Sequence, residues 1–316
     1  MNPVSAIFAA GVAARNKLYD RKFFQVRKLS RPVVSVGNLS VGGSGKTPFV
    51  IALGGLLKER GIPFDVLSRG YGRQSSEVLV VDPEGAPGKF GDEPLLIARK
   101  LQVPVIVGAD RYQAGLLAEQ KFPSKLHLLD DGFQHRRLHR DFDIVLLQAH
   151  DLDDTVLPVG RLREPLSALR RADAVVLPPN IAPPAHVRLV WRARRNVSFV
   201  TPMKRVVAFC GLARPEQFFS ALKQLGMDVA DTVAFPDHHR YQQRDIDRLI
   251  QRKARATARG FITTDKDAVN LGPLLLQLRT FETAGLELQL ERPANVISAL
   301  LAALEERCGC GFQPET

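Results

Sequence analysis

The sequence of 316 residues predicts an α/β protein, with a doubly wound, mostly parallel sheet and a second, smaller α/β domain. Short apolar runs rich in valine, leucine and isoleucine alternate with segments of helical periodicity, which is typical of a sheet covered on both faces. A proline-rich stretch at 178–184 interrupts this alternation before a second series begins. We therefore expect an N-terminal helix at 1–29, a core domain at 30–200 and a smaller domain at 201–316.

The predicted elements follow one another in the order that a wound sheet requires. Strands are expected at 33–36, 64–67, 77–81, 103–107, 126–129, 143–147, 174–177, 187–200, 206–210, 228–235, 261–264 and 286–290. Helices are expected at 49–60, 91–101, from 109 onward, and at 215–225, 245–257 and 294–306. A loop rich in proline and glycine is expected at 83–91.

The loop between the first strand and the first core helix has the residues of a phosphate-binding P-loop. Gly42, Gly43 and Gly45 leave backbone N–H groups free to converge on phosphate oxygens, and the following helix N-terminus favours negative charge. Lys46 would bridge the β- and γ-phosphates, and the Thr47 hydroxyl would ligate Mg²⁺. The alternative is an ordinary glycine-rich loop with a surface lysine, but the strand before it and the helix after it favour nucleotide binding.

One position departs from the usual P-loop pattern, because Ser40 stands where a glycine is expected. Gly37 and the doubled glycine are then expected to supply the flexibility. The predicted nucleotide-binding residues are Gly37, Asn38, Ser40, Val41, Gly42, Gly43, Ser44, Gly45, Lys46 and Thr47.

Acidic and basic residues follow other predicted strands. Asp130 and Asp131 directly follow the strand expected at 126–129. A Walker B carboxylate at this position would approach Mg²⁺ beside Thr47. The alternative is a simple turn, because Asp-Gly is a common turn dipeptide. Asp92, Arg111 and a basic loop at 157–165 also follow strands. Because ligands bind beyond the carboxyl ends of parallel strands, these groups can converge there.

The composition limits the classes of partner that the protein is expected to bind. A formal net charge of +11 favours an anionic partner, and the 7% aromatic content gives little support to nucleic-acid stacking, so we expect no nucleic acid. No apolar run of 18 residues is present, which argues against a spanning helix. An apolar segment at 4–12 precedes several arginines and lysines, and residues 1–29 either lie on an anionic membrane or pack on the domain.

Eight motifs, in this order, together resemble the tetraacyldisaccharide 4′-kinase family, the lipid A 4′-kinases: VGNLSVGGSGKTP, SRGYGR, GDEP, GADR, LLDDGFQHRRL, PVGRLREP, FPDHHRY and TTDKDAV. The resemblance covers about residues 31–305. It implies a P-loop kinase core and transfer of the γ-phosphate of ATP, with Mg²⁺, to the 4′-hydroxyl of an acylated glucosamine disaccharide 1-phosphate. It also implies a peripheral enzyme on the cytoplasmic face of the bacterial inner membrane. Family members often have a longer apolar N-terminal segment, so a spanning anchor is not expected here, and a monomer is favoured.

The resemblance also implies roles for individual residues. Lys46, Arg111 and Arg163 match family motifs and should line the cleft, where either arginine could neutralise the transferring phosphoryl group or hold the lipid 1-phosphate. Asp92 is the expected base, and His238 resembles the family's histidine that partners it. The simpler alternatives are Asp92 as a helix N-cap, His238 as an interface histidine, and a surface ion pair of Arg163 with Glu164.

A rival class is a P-loop ATPase that drives assembly or metal insertion. Such proteins usually have a lysine before the doubled glycine, whereas Val41 stands there. The rival should hydrolyse ATP without phosphorylating any lipid.

Overall fold

A computed structural model describes residues 3–185, 187–199, 203–309 and 311–312, and the predicted domain boundary at 200/201 falls outside them. The strands in this part of the chain are β1 (Val33–Asn38), β2 (Phe64–Ser68), β3 (Leu79–Val80), β4 (Val105–Val107), β5 (Leu126–Asp130), β6 (Phe142–Leu146), β7 (Ala174–Leu177), β8 (Leu189–Ser198), β9 (Val206–Cys210), β10 (Val229–Ala234), β11 (Gly260–Thr264) and β12 (Phe281–Leu290). They form one sheet in the order β10-β9-β11-β12-β8-β7-β6-β1-β5-β2-β4-β3.

Helices cover this sheet on both faces. They are α1 (Pro3–Asp20), α2 (Lys46–Glu59), α3 (Pro87–Phe90), α4 (Asp92–Leu101), α5 (Arg111–Lys121), α6 (Pro215–Gln224), α7 (Gln243–Arg255), α8 (Asp265–Leu271) and α9 (Pro293–Cys308). Within the described residues, none of these helices is both long and apolar enough to cross a membrane.

Alternation along β1 shows why both faces need cover. Val34 and Val36 join a core cluster with α2, α4 and α9, whereas Val33 joins a second cluster with α5 on the opposite face. All three valines are at most 1% exposed. A central parallel strand buried on both sides reads as a continuous apolar run, as the sequence predicted.

The sheet contains two parallel blocks that run in opposite directions. The first block consists of β1, β2, β4, β5, β6 and β7, and the second consists of β9, β10 and β11. The long strands β8 and β12 lie between the blocks and join them. β8 pairs parallel with β7 through residues 189–192 and antiparallel with β12 through residues 193–198. β12 in turn pairs with β8 through residues 285–290 and parallel with β11 through residues 281–284. Because each long strand uses its two halves for different partners, the second block lies beyond the carboxyl ends of the first. The carboxyl ends of the two blocks therefore face each other.

The predicted α/β class is confirmed, two local predictions need correction, and one helix was not predicted. The strand expected at 77–81 is only the two residues of β3, at the sheet edge. The loop expected at 83–91 contains α3, which Pro87 begins. Helix α8 was not predicted, because it has only seven residues, and the Thr264 side chain that accepts from the Asp267 N–H begins it.

Candidate active site between the facing strand ends

The P-loop leaves β1 and ends in α2. Gly45, which precedes the helix, has a left-handed φ of 89°, and Gly42 has a φ of 98°, so both positions favour glycine. Gly45 offers no side chain to cap the first N–H groups of α2, and these groups can therefore bind an anion. Gly37 has a different function from the one predicted. It lies within β1, and a Cβ there would be 2.5 Å from the Cβ of Phe133, so it permits close packing and not loop flexibility.

Ser40, which stands where the usual P-loop pattern has a glycine, lies in an extended segment that pairs with the loop at 157–165. Ser40 pairs with Leu162 in an antiparallel bridge, and the Val41 N–H donates to the Arg161 carbonyl at 2.8 Å. The Asn38 amide donates to the Ser40 carbonyl at 2.7 Å and so holds the start of the loop. Because this segment is extended, position 40 needs no glycine.

Lys46 lies at the centre of a charged network. Its Nζ donates to Asn38 Oδ1 at 3.0 Å, approaches Ser44 Oγ at 3.5 Å and lies 3.4 Å from Asp131 Oδ1. Arg163 donates to both oxygens of Asp131, at 3.1 and 3.3 Å, and also contacts Asn38 Oδ1. Burial by itself would raise the pKa of Asp131, but Lys46 and Arg163 together lower it to about 2. Asp131 is therefore anionic and balances two cations where phosphates would bind.

Asp130 has a different environment from its neighbour. One of its oxygens accepts from the Ser68 hydroxyl at 3.1 Å, and the other is buried without a hydrogen-bond partner. Burial, then the charges of Glu93 and Asp131, raise the pKa of Asp130 to about 7. Among the described residues, no group of three or more His, Cys, Asp or Glu side chains is placed to hold a metal ion. An Mg²⁺ here would need oxygens from elsewhere, which is usual when phosphates supply most of the ligands.

The loop at 157–165 brings Arg163 to the P-loop. The backbone N–H of Arg163 donates to the Leu39 carbonyl at 2.6 Å, so the backbone of this loop is hydrogen-bonded to the end of β1. The alternative of an Arg163–Glu164 ion pair is wrong, because Glu164 is 1% exposed and pairs with Arg171 at 2.7 Å.

Arg111 begins α5 and is 5% exposed. It donates to the Ala109 carbonyl at 2.8 Å, and its buried Nε has no partner. Burial, then the nearby charge of Arg69, lower the pKa of Arg111 to about 10, while Asp131 and Asp130 act in the opposite direction. A buried guanidinium with an unpaired donor beside two aspartates suits an anionic ligand.

Asp92 and His238 meet across the two parallel blocks. His238 Nδ1 lies 2.9 Å from Asp92 Oδ2, and Asp92 is 5% exposed. Asn270 donates to the same oxygen at 3.2 Å, and Lys266 Nζ lies 3.7 Å away. Asp92 is the first residue of α4, whose N-cap is Gly91, so the N-cap alternative is not what the structure shows. The two residues are thus in direct contact although they are distant in sequence.

Electrostatics in this pair favour opposite charges. Burial by itself raises the pKa of Asp92, but the hydrogen bond with His238 and the charge of Lys266 lower it to about 2. The hydrogen bond to Asp92 raises the pKa of His238, against the opposing effects of burial and Lys266. Asp92 is therefore ionised at neutral pH and can accept a proton or a hydrogen bond.

Sequence reasoning missed several residues at this site. Lys266 and Asn270 lie on α8, and the TTDKDAV motif was the available signal for the lysine, because it follows a predicted strand. Arg195 on β8 donates to the Gly43 carbonyl at 3.0 Å, and Gln148 donates to the Ser44 carbonyl at 3.3 Å. Neither residue belongs to a motif. Arg195 reaches the P-loop from β8 and Gln148 from the turn after β6, and the sequence does not reveal that these segments lie beside the P-loop.

Two cavities adjoin the P-loop and the loop after β5. A cavity of about 480 Å³ is lined by residues including Gln148, Pro178, Arg195 and Leu288, at the ends of β6 and β7. A larger groove of about 860 Å³ lies between α1, the start of α5 and residues 135–137. It combines apolar side chains with several arginines.

The fold and the site together define a P-loop nucleotide-binding α/β protein. The family model described as tetraacyldisaccharide-1-P 4′-kinase matches residues 1–305. The tetraacyldisaccharide 4′-kinase of Koribacter versatilis is 49% identical over 98% of this chain and 100% of its own length, and that of Geobacter metallireducens is 39% identical over 94% and 95%. The crystal structure of LpxK from Aquifex aeolicus in complex with ATP superposes with a TM-score of 0.79 at 36% identity, over 95% of this chain and 97% of that one. The chain belongs to the tetraacyldisaccharide 4′-kinase family and is thus an enzyme, a kinase of lipid A biosynthesis.

Proposed function

We propose that this enzyme transfers the γ-phosphate of ATP to the 4′-hydroxyl of a tetraacyldisaccharide 1-phosphate, giving the 1,4′-bisphosphate, on the cytoplasmic surface of the inner membrane. One observation carries the proposal: Lys46 of the P-loop lies near the Asp92–His238 pair, whose two residues come from the two facing blocks of strands. Burial raises the pKa of Glu93, the residue after Asp92, and the charges of Lys266 and Lys46 both oppose that rise, so both cations lie near this residue. This arrangement places a phosphate donor opposite a proton acceptor.

The nucleoside end of ATP is assigned to the cavity of about 480 Å³. Three of its lining residues touch the P-loop: Arg195 contacts Gly43, Gln148 contacts Ser44, and Leu288 lies 3.3 Å from where a Gly45 Cβ would be. The cavity therefore adjoins the P-loop directly, where the phosphates would bind. Apolar walls with a few polar groups are typical of sites for a nucleobase and its sugar.

Phosphate binding and charge neutralisation fall to the P-loop side. The N–H groups at the start of α2 and the Lys46 ammonium would hold the phosphates, and Arg163 and Arg111 would stabilise charge that spreads over the transferring group. Mg²⁺ fits Thr47 and Asp130, because Asp130 has a buried oxygen without a partner, whereas Asp131 is engaged by two cations. When bound, the ion would neutralise charge between the β- and γ-phosphates.

Asp92 is assigned the proton of the attacking hydroxyl. His238 orients its carboxylate from one side, and Asn270 and Lys266 contact the same oxygen, which leaves the other oxygen for the acceptor. That other oxygen already accepts from the Glu93 N–H at 3.0 Å, which fixes its direction. A carboxylate held by a third group in this way is the usual arrangement of a general base.

The acceptor lipid is assigned to the groove beside α1. Arg15, Arg136 and Arg137 line it together with Leu18 and Phe24, so it offers both cations and apolar surface. Those are the features that a phosphorylated, acylated sugar needs. The side chains of Ile7, on the same helix, and of Phe23, beside Phe24, are 74% and 76% exposed and offer apolar surface to a bilayer.

The test is a transfer assay with the full chain, ATP radiolabelled at the γ-phosphate and tetraacyldisaccharide 1-phosphate in mixed micelles. The expected product is a lipid carrying one additional phosphate, at the 4′ position by mass spectrometry. Lys46→Ala should lower kcat about 10²- to 10³-fold, because the lysine charge acts mainly on the transition state. Lys58→Ala, on the last turn of the same helix, is the matched control and should keep wild-type kcat. ATP hydrolysis by the wild type without any lipid product would instead support the rival ATPase.

A further inference from the structure

The N-terminal helix contacts the two loops that carry Asp131 and Arg163. The Ser5 hydroxyl, 1% exposed, donates to the Val156 carbonyl at 3.1 Å at the beginning of the Arg163 loop. Near its end, the same helix presents Asn16, whose amide donates to Glu164 Oε2 at 2.7 Å. Helix α1 is thus hydrogen-bonded to the residue before the 157–165 loop and to Glu164 near the end of that loop.

Glu164 is a buried anion adjacent in sequence to Arg163. Its Oε2 accepts from Asn16 and from Arg171, each at 2.7 Å. Its other carboxylate oxygen is buried without a partner. A buried carboxylate that lost one of its two donors would have to move or draw in water, because an unsatisfied buried charge is unfavourable. Such a movement would displace Arg163, the preceding residue in the chain.

The helix also supports the loop after β5. Arg15 donates to the Gln134 carbonyl at 2.8 Å, and Gln134 in turn donates to the Asn38 carbonyl at 2.9 Å, next to the P-loop. Arg136 donates to the Asn16 carbonyl at 3.0 Å. Asn16 therefore joins the two loops: its amide donates to Glu164, and its backbone carbonyl and, at 3.4 Å, its Oδ1 accept from Arg136.

We propose that Asn16 is a positioning residue of the kinase reaction: through Glu164 it fixes Arg163 against Asp131. On this proposal, helix α1 supports the active site in addition to any contact it makes with a membrane. The inference rests on the proposed function, since it assigns Asn16 an effect on phosphate transfer.

The variant Asn16→Ala removes the contact with Glu164, together with the longer contact of 3.4 Å from Arg136 to Asn16 Oδ1. Alanine has a higher helix propensity than asparagine, so a loss of activity cannot come from a weaker helix. In mixed micelles with saturating lipid and ATP, kcat should fall about tenfold, whereas KM for ATP should stay within about twofold of wild type. Ala13→Gly is the matched control: Ala13 is exposed, and glycine weakens the same helix, yet kcat should be unchanged.

A double-variant comparison separates positioning from general destabilisation. If Asn16 acts through Arg163, the variant carrying both Asn16→Ala and Arg163→Ala should be as slow as Arg163→Ala alone. Wild-type kcat in Asn16→Ala, or losses that multiply fully in the double variant, would overturn the proposal. A wild-type enzyme that phosphorylates no lipid would instead count against the proposed function, and the assay records that outcome separately.

Discussion

Replacing His238 by alanine removes one side of a contact that joins the two blocks of the sheet at the proposed base. The imidazole Nδ1 lies 2.9 Å from Asp92 Oδ2, and the tyrosine ring of Tyr71 lies 5.3 Å from the imidazole, centroid to centroid. Asn270 and Lys266 would still contact the same oxygen. The variant should therefore keep Asp92 ionised while loosening its orientation.

The expected size of the effect follows from this geometry. A hydrogen bond to a charged group contributes about 1.5–3 kcal/mol, which corresponds to about 10- to 150-fold in rate if all of it acts in the transition state. Because the His238 side chain is 31% exposed, solvent weakens the interaction, and we expect about 10- to 50-fold in kcat. Asp92→Asn removes the proton acceptor itself and should cost about 10²- to 10⁴-fold.

The assay is single-turnover phosphate transfer with saturating ATP and lipid, accompanied by a direct measurement of ATP binding, which should be unchanged. His239→Ala is the matched control. His239 is adjacent in sequence but bonds to Asp245 at 3.0 Å, away from Asp92, so its loss should affect stability more than kcat.

The double variant of Asp92 and His238 decides whether the two residues act together. It should be slower than Asp92→Asn by no more than about twofold, because the histidine has no carboxylate left to orient. Losses that multiply fully would show independent roles. A near-normal kcat in Asp92→Asn would refute the assignment of the base.

Three further predictions concern pH, stability and membranes. Because the pKa of His238 is raised and a protonated imidazole makes Asp92 a weaker base, kcat should rise with pH through that raised pKa, and a pH–rate profile of His238→Ala should lack this ionisation. His127 and Asp65 form a fully buried pair at 2.7 Å, so Asp65→Ala should lower the free energy of unfolding by about 3 kcal/mol in urea titrations. Burial lowers the pKa of His127, but Asp65 has the larger combined effect and raises it. The stabilisation from this pair is therefore present in acidic buffer and is lost as pH rises through the raised pKa. If Asp65→Ala lowered the free energy of unfolding equally in acidic and alkaline buffer, this explanation would be wrong. Ile7→Glu should reduce flotation with anionic vesicles, and wild-type binding should weaken in high salt; retention of the wild type after a high-salt and carbonate wash would exclude a peripheral attachment.

The sequence by itself determined the α/β class and the positions of the residues that we propose bind phosphate. Periodicity identified β1 and α2, because a strand buried on both faces must be apolar throughout and a helix must present one apolar face. Glycine, lysine and threonine at the end of that strand are required by local backbone and phosphate geometry, so their positions in the chain suffice to recognise them. Asp130 was placed at a strand end on the same local grounds.

Only the tertiary structure decided what these residues contact. Asp130 and Asp131 are adjacent in sequence, yet one is engaged by Lys46 and Arg163 while the other keeps a buried unpaired oxygen, and that difference depends on loops distant along the chain. The contact between Asp92 and His238 spans 146 residues of sequence separation. It exists because β8 and β12 divide their pairing between two blocks and turn the carboxyl ends of those blocks toward each other. Long-range strand pairing of this kind depends on the packing of the whole sheet, and no local pattern encodes it.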